Sequence, residues 1–219
     1  MTKIKAILFD MDGVMVDSNP YHKAAWPVYG KQIGLDIDDD LMEKHVYGHT
    51  NHDALQNLMG KKLDKELTFK MGEEKEAIFR EMILPELKPV DGLIEFIDFA
   101  KSRNIKLAVA SSAHRSNIDF ILDGFNIRRA FECIVDGTMV ENGKPEPDIF
   151  LKAAELFGFK PKECLVIEDS LAGVEAGRRA GMPTVGITTT HSKDELDPIE
   201  FAESDFKNFQ KLFLENFNN

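Results

Sequence analysis

The sequence predicts an α/β protein in which helices cover both faces of a parallel sheet, with a helical domain inserted after the first strand. Three observations predict it. Short, near-continuous apolar runs recur along the chain, each ending in polar residues and followed by a helix-like segment, as expected of strands buried on both faces. Between about Ser18 and Leu87 this gives way to helix formers at 3.6-type spacing, with no convincing strand. The 219 residues are 43% hydrophobic and 30% charged, an ordinary globular composition for one large domain or a domain with an insert.

The first apolar run, Ile4–Phe9, ends at Asp10. The insert follows, with helical spacing clearest at Leu55, Leu58 and Met59 and again at Ala77, Ile78, Phe79 and Met82. Pro85, Pro89 and Gly92 mark the return to the main domain, since proline and glycine punctuate element ends. Ile105–Ala110 then ends at Ser111, Cys164–Ile167 at Glu168 and Asp169, and Thr184–Ile187 at a threonine run. The expected domains are residues 1–16 with 88–219, and 17–87, with Asn216–Asn219 a frayed tail. Ligands of parallel sheets collect at the carboxyl ends of the strands. Those ends carry Asp10, Ser111, Glu168 and Asp169.

Net charge narrows the partners. At −11, with Lys+Arg 27 against Asp+Glu 38, the chain lacks the excess of cations that a nucleic-acid binder uses to neutralise phosphates. No stretch approaches the roughly 20 apolar residues of a membrane span. Two aspartates interrupt the first apolar run too early for a signal-peptide core. Cys133 and Cys164, the two cysteines, read as reduced, buried core residues. A monomeric, cytoplasmic protein is the expectation.

The chemistry concentrates in four places. Phe9–Val14 sets two carboxylates, Asp10 and Asp12, two positions apart just after a strand, with Gly13 allowing a sharp turn. An aspartate attacks phosphorus well when a cation screens it, and its partner can protonate a leaving oxygen and later deprotonate an acceptor. Taken alone, the pair could equally be a surface turn or a plain metal site. Val109–Ser112 offers hydroxyls and successive N–H groups at a strand end, a cradle for phosphate through Ser111 and Ser112. Gly143–Asp148 holds Lys144 beside Pro145, where it can bridge a nucleophile and a transferring phosphoryl group. Ile167–Ser170 adds Glu168 and Asp169. Carboxylates converging this way repel one another unless a cation joins them, and oxygen-only ligands beside phosphate call for Mg²⁺.

In order and rough spacing these residues resemble the four signature motifs of the haloacid dehalogenase superfamily. The Asp12 position is similar to its phosphatase and phosphomutase branch, and Asp17–His22 with Ala25 and Trp26 resemble the hinge and first cap helix of the β-phosphoglucomutase-like group. The resemblance spans essentially the whole chain. It implies a Rossmann-like core with an inserted four-helix cap of the C1 type, which closes over the core to exclude water. Hinges are then expected near Val14–Ser18 and Leu84–Val90. It further implies Asp10 as nucleophile and metal ligand, and Asp12 as acid/base with its carbonyl on the metal. Ser111 and Ser112 become phosphate binders, Lys144 the charge-neutralising lysine, and Asp169 a metal ligand with Glu168 beside it.

The cap decides between mutase and phosphatase. A mutase of this group holds a second phosphate with an arginine in a short cap loop. Here the loop reads Gly48–Asp53 and the arginine position is Asn51, with Arg80 the only arginine in the region. Asparagine cannot give the charged, bidentate contact. His49 and His52 either compensate in part or are solvated loop residues. Lys75 either reaches towards the active site or adds one more charge to a solvated face in Glu73–Glu76. His22 either positions the acid/base or makes a plain hydrogen bond, and Trp26 and Phe79 read as cap core. The expectation is hydrolysis of small phosphorylated metabolites such as sugar phosphates. The alternatives are conversion of β-glucose 1-phosphate to glucose 6-phosphate and an inactive phosphate-binding protein.

Overall fold

The computed structural model describes residues 3–47, 49–196 and 199–217. In chain order the elements are β1 (Ala6–Phe9), α1 (Asn19–Gln32), α2 (Asp39–His45), α3 (Asn51–Met59) and α4 (Lys65–Ile83). After them come α5 (Leu93–Ser102), β2 (Lys106–Ser111), α6 (Arg115–Gly124), β3 (Cys133–Asp136) and α7 (Asp148–Phe157). β4 (Cys164–Glu168), α8 (Leu171–Arg179), β5 (Thr184–Ile187), β6 (Phe201–Glu203) and α9 (Phe209–Asn216) complete the chain. Two compact units emerge, one of Met1–Asp17 with Lys88–Asn219 and one of Ser18–Leu87.

The larger unit is the α/β body. Among the described residues its sheet has six strands in the order β3-β2-β1-β4-β5-β6, and every pairing is parallel. All four residues of β1 are buried, which explains why its sequence is apolar throughout rather than alternating. Ala6 and Leu8 join a cluster with Ile149, Phe150 and Ala153 of α7 and Ala176 of α8. The alternate residue Phe9 packs among Phe96, Phe131 and Phe206, at ring separations of 6.2, 5.8 and 6.1 Å. The strand order reverses direction between β1 and β4, and in open parallel sheets such a reversal opens a crevice at the carboxyl ends of those strands.

Two strands lack a clear trace in the sequence. β3 lies within the apolar Phe131–Val135 run and pairs with β2. β6 is a three-residue edge strand, half-buried throughout, too short to show a pattern. Cys164 is buried as expected, whereas Cys133 is half-buried because β3 is an edge strand. Asn218 and Asn219 of the expected frayed tail lie outside the described residues, and Asn216 closes α9.

Among its described residues the smaller unit holds four α-helices, α1 to α4, with a core of Trp26, Tyr29, Ile37, Met42, Ala54 and Leu55. Their starts are capped by short polar side chains. Asp38 accepts from the Leu41 amide at 2.9 Å, Thr50 from Asp53 at 3.2 Å and Asp64 from Glu66 at 2.8 Å. Along α4 the buried stripe is Thr68, Gly72, Lys75, Glu76, Phe79 and Ile83. A lysine and a glutamate thus occupy the middle of an otherwise apolar face.

Candidate active site

Register brings the sequence-predicted residues of the α/β unit together. Phe9 pairs with Ile167 of β4 and with Val109 of β2, so Asp10 follows β1 beside Glu168 and close to Ser111 at the end of β2. Its amide donates to the Ile167 carbonyl at 3.1 Å, which extends the ladder one residue past the strand and fixes where the carboxylate starts. Asp10 is 6% exposed, Ser111 2%, Asp169 3%, and Glu168 fully buried.

Lys144 joins the pieces. Its Nζ donates to Asp10 Oδ1 and, at 2.5 Å, to Glu168 Oε1, and lies 5.1 Å from the centre of the Phe150 ring. The loop bearing Lys144 is tied to α8 by Arg179, which donates to Glu146 Oε1 at 2.5 Å. Its Lys144–Pro145 peptide is cis. Burial opposes the lysine's charge, but Asp10 and Glu168 on either side hold its pKa above the ordinary value.

Glu168 serves as a hub. Its Oε2 accepts from the amides of Asp169 at 2.9 Å and Ser170 at 3.0 Å, and from the Ser170 hydroxyl at 2.9 Å. The same hydroxyl accepts from the Gly173 amide at 3.0 Å and so caps α8. A Cβ on Gly173 would fall 1.8 Å from the Glu168 carboxyl; this helix needs glycine there to let the carboxylate in. Asp169 accepts from the Thr190 hydroxyl. Gly13, at φ +75°, brings its backbone so near that a Cβ would lie 1.9 Å from Asp169 Oδ2.

The carboxylates press on one another. Burial pushes Asp10 above its ordinary value, with Lys144 opposing and Glu168 and Asp12 adding to the rise. Burial also raises Asp169, helped by Glu168 and Asp10 and opposed by Thr190 and Lys144. Lys144 alone leaves this set short of positive charge, a deficit that suits a cation. Among the described residues, however, no three Asp, Glu, His or Cys side chains form a group that could by themselves hold a metal ion. Glu168, expected near the metal, has both oxygens committed to Lys144 and to the turn into α8. Asp10 and Asp169, the other two buried carboxylates of the set, match the way Mg²⁺ is commonly met, by one or two carboxylates with water and phosphate completing the shell.

At the end of β2 the Ser111 hydroxyl accepts from the Ala113 amide at 3.3 Å, and Ser112 is exposed at the loop that enters α6. Asp12 is half-buried in the turn that Gly13 closes by donating to the Val16 carbonyl at 2.8 Å.

The predicted residues of the helical unit gather around one that sequence reasoning missed. Glu76, 4% exposed, accepts from Lys75 Nζ and Asn51 Nδ2, both at 2.7 Å, and lies 3.5 Å from His22 Nδ1. Lys75 is 2% exposed, so it is no part of a solvated helix face. Its Nζ is 3.1 Å from His22 Nδ1 and 5.3 Å from the Trp26 ring centre. His22 stacks on Phe79 at 3.7 Å. Burial works against the Glu76 charge, but Lys75, His22 and Asn51 more than offset it and bring its pKa down to about 2. His52 is occupied locally, 2.6 Å from the Thr68 hydroxyl and 3.0 Å from Gln56. Gly48 of the same loop lies outside the described residues.

A model of the haloacid dehalogenase-like hydrolase family matches residues 4–181. The chain is 35% identical over 194 residues to a β-phosphoglucomutase of Bacillus subtilis, covering 84% of this chain and 83% of that one. It is 32% identical over 186 residues to a phosphorylated carbohydrates phosphatase of Thermotoga maritima, covering 83% and 84%. The crystal structure of a β-phosphoglucomutase from Clostridium difficile superposes with a TM-score of 0.82 at 28% identity, covering 99% of this chain and 97% of that one. With the family model matching most of its length and the parallel sheet of its relatives in place, the chain belongs to the haloacid dehalogenase-like hydrolases, as an enzyme of their β-phosphoglucomutase-like phosphatase and phosphomutase group.

Proposed function

We propose that this enzyme hydrolyses small phosphorylated metabolites, sugar phosphates in particular, by way of an aspartyl-phosphate on Asp10. The observation that carries the reading is the Lys144 bridge, which holds Asp10 and Glu168 on one ammonium at the reversal of the sheet. An Asp10 oxygen attacks phosphorus, the bond from phosphorus to the sugar oxygen breaks, and Asp12 gives its proton to that leaving oxygen. Asp12, now a carboxylate, takes a proton from the water that attacks the phosphoryl group, and the bond to Asp10 breaks to release phosphate. Lys144 neutralises charge on the transferring oxygens, and Ser111 with the Ser112 amide binds them. Asp10, Asp169 and the Asp12 carbonyl would hold Mg²⁺, whose charge would screen the repulsion between the nucleophile and the phosphoryl oxygens.

Water is favoured as acceptor over a second sugar hydroxyl by the engagement of Asn51. It stands where a mutase of this group carries arginine, and it already donates to Glu76. Lys75 is spent on the same carboxylate. The relatives divide between the two activities, one a β-phosphoglucomutase and another a phosphorylated carbohydrates phosphatase. A screen for phosphate release over phosphorylated sugars in Mg²⁺, with and without a catalytic trace of a sugar bisphosphate, separates them. Steady release that ignores the bisphosphate supports the hydrolase. Bisphosphate-primed conversion of β-glucose 1-phosphate to glucose 6-phosphate without release overturns it in favour of a mutase.

A further inference from the structure

We propose that Thr190 is a positioning residue for Asp169, and through it for Mg²⁺, while Thr189 fixes the Gly13 turn against the same carboxylate; the proposal rests on the Mg²⁺ reading above. The two threonines follow β5, in a loop whose Thr188 amide donates to the Glu203 carbonyl of β6 at 2.9 Å. Thr190 Oγ1 donates to Asp169 Oδ2, and Thr189 Oγ1 donates to the carbonyl of Gly13. A Cβ built on Gly13 would sit 1.9 Å from Asp169 Oδ2 and 2.9 Å from Thr190 Oγ1. Loops leaving three strands, β1, β4 and β5, are therefore fitted together at one carboxylate.

The physical role follows from the direction that each bond fixes. Thr190 takes one Asp169 oxygen and sets the plane of the carboxylate, so the other oxygen is presented in a fixed direction. Branching at Cβ limits the threonine to few rotamers, which makes the hydroxyl a stiff support. Without it, a buried carboxylate repelled by Glu168 and Asp10 loses a bond that opposes its turning away from them. Hydrogen-bond partners that orient metal ligands typically account for 10–100-fold in metal affinity. Thr190 is itself exposed, so its replacement leaves the core packing alone.

The test is a Mg²⁺ titration of the full-length protein without substrate, read by its thermal unfolding midpoint, for wild type, Thr190→Val, Thr190→Ser and Thr189→Val. Thr190→Val is expected to need about 10–100-fold more Mg²⁺ for half of the full stabilisation, with its metal-free midpoint close to wild type. Thr190→Ser keeps the hydroxyl and should restore most of the affinity, and Thr189→Val should fall between. A Thr190→Val protein with the wild-type Mg²⁺ dependence overturns the proposal alone, as does one whose only change is a lower metal-free midpoint. A wild-type protein indifferent to Mg²⁺ overturns this inference together with the Mg²⁺ reading.

Discussion

Burial lifts the Asp10 carboxyl above its ordinary value of 3.8; the Lys144 charge resists the rise and Glu168 adds to it. An acid raised on folding holds its proton more tightly in the folded chain than in the unfolded one. Its contribution to stability therefore falls as pH climbs from the ordinary carboxylate range through the raised folded value. In a chelating buffer, Asp10→Asn should flatten that decline, with its largest advantage in unfolding midpoint on the alkaline side and little at pH 4. The same variant should lose turnover by about 10⁴-fold or more, as removal of a covalent nucleophile does, measured by phosphate release. Glu76 has the opposite sign. Its pKa is brought down to about 2 from 4.5, against burial, by Lys75, His22 and Asn51. Its stabilising share is complete above about pH 4.5 and is lost as pH falls towards 2. Glu76→Gln leaves the buried Lys75 ammonium without its carboxylate and should destabilise the protein by about 3 kcal/mol or more in denaturant unfolding at pH 7. Joint replacement of Lys75 by Met and Glu76 by Leu should recover most of that loss.

These two residues also mark what the sequence makes legible. Asp10 and Lys144 stand out because each interrupts a pattern, a carboxylate closing an apolar strand and a lysine beside a proline. Glu76 sits in the run Glu73–Glu76, which reads as a charged helix face. Its meaning comes from Asn51, 25 residues upstream, and from a stripe that buries Thr68, Gly72 and Phe79 on the same side. Spacing alone does not say which face of a charged helix turns inward. Thr190 is hidden for a related reason: its partner Asp169 is reached only once β4 and β5 are paired.

At the scale of elements, glycines in the connecting turns serve different needs, Gly13 after β1 and Gly34 between α1 and α2. Gly13 combines a positive φ with a close approach to Asp169, whereas Gly34, at φ +78°, has open space where a Cβ would go. Gly34→Ala should cost about 1 kcal/mol through backbone strain alone and leave turnover unchanged. Gly13→Ala adds a collision with the carboxylate and should cost more than that while slowing turnover sharply. Thermal unfolding and phosphate release on the pair separate strain from disruption of the site. β1, legible from its unbroken apolar run, and β6, which left no trace, mark the two extremes of the sheet. Hydrogen exchange should follow the same order, with amides of β1 among the slowest and those of β6 among the fastest.

For the molecule as a whole, the net charge of −11 sets a background that should repel the anionic substrates proposed above, against the local charge of Lys144. Screening weakens that background over about 10 Å at 0.1 M salt. With Mg²⁺ saturating, kcat/KM should rise modestly, by about two-fold, as sodium chloride is added from low ionic strength. A chelator should abolish turnover and Mg²⁺ should restore it. A fall in kcat/KM over the same salt range would point instead to a local positive field that dominates the approach.

Lys144 reaches Asp10 across 134 positions of sequence, and this separation has a consequence for how the protein is made. Domains are synthesised from the N-terminus, and contacts of long sequence separation form late. Asp10 is therefore synthesised well before its partners, since Lys144, Glu168 and Asp169 all follow more than half a chain later. A nascent or truncated chain can therefore display Asp10 without any means of using it. On the proposed mechanism chemistry should begin only when β4 takes its place beside β1, so the onset of phosphate release in a refolding experiment should serve as a clock for the closure of the sheet.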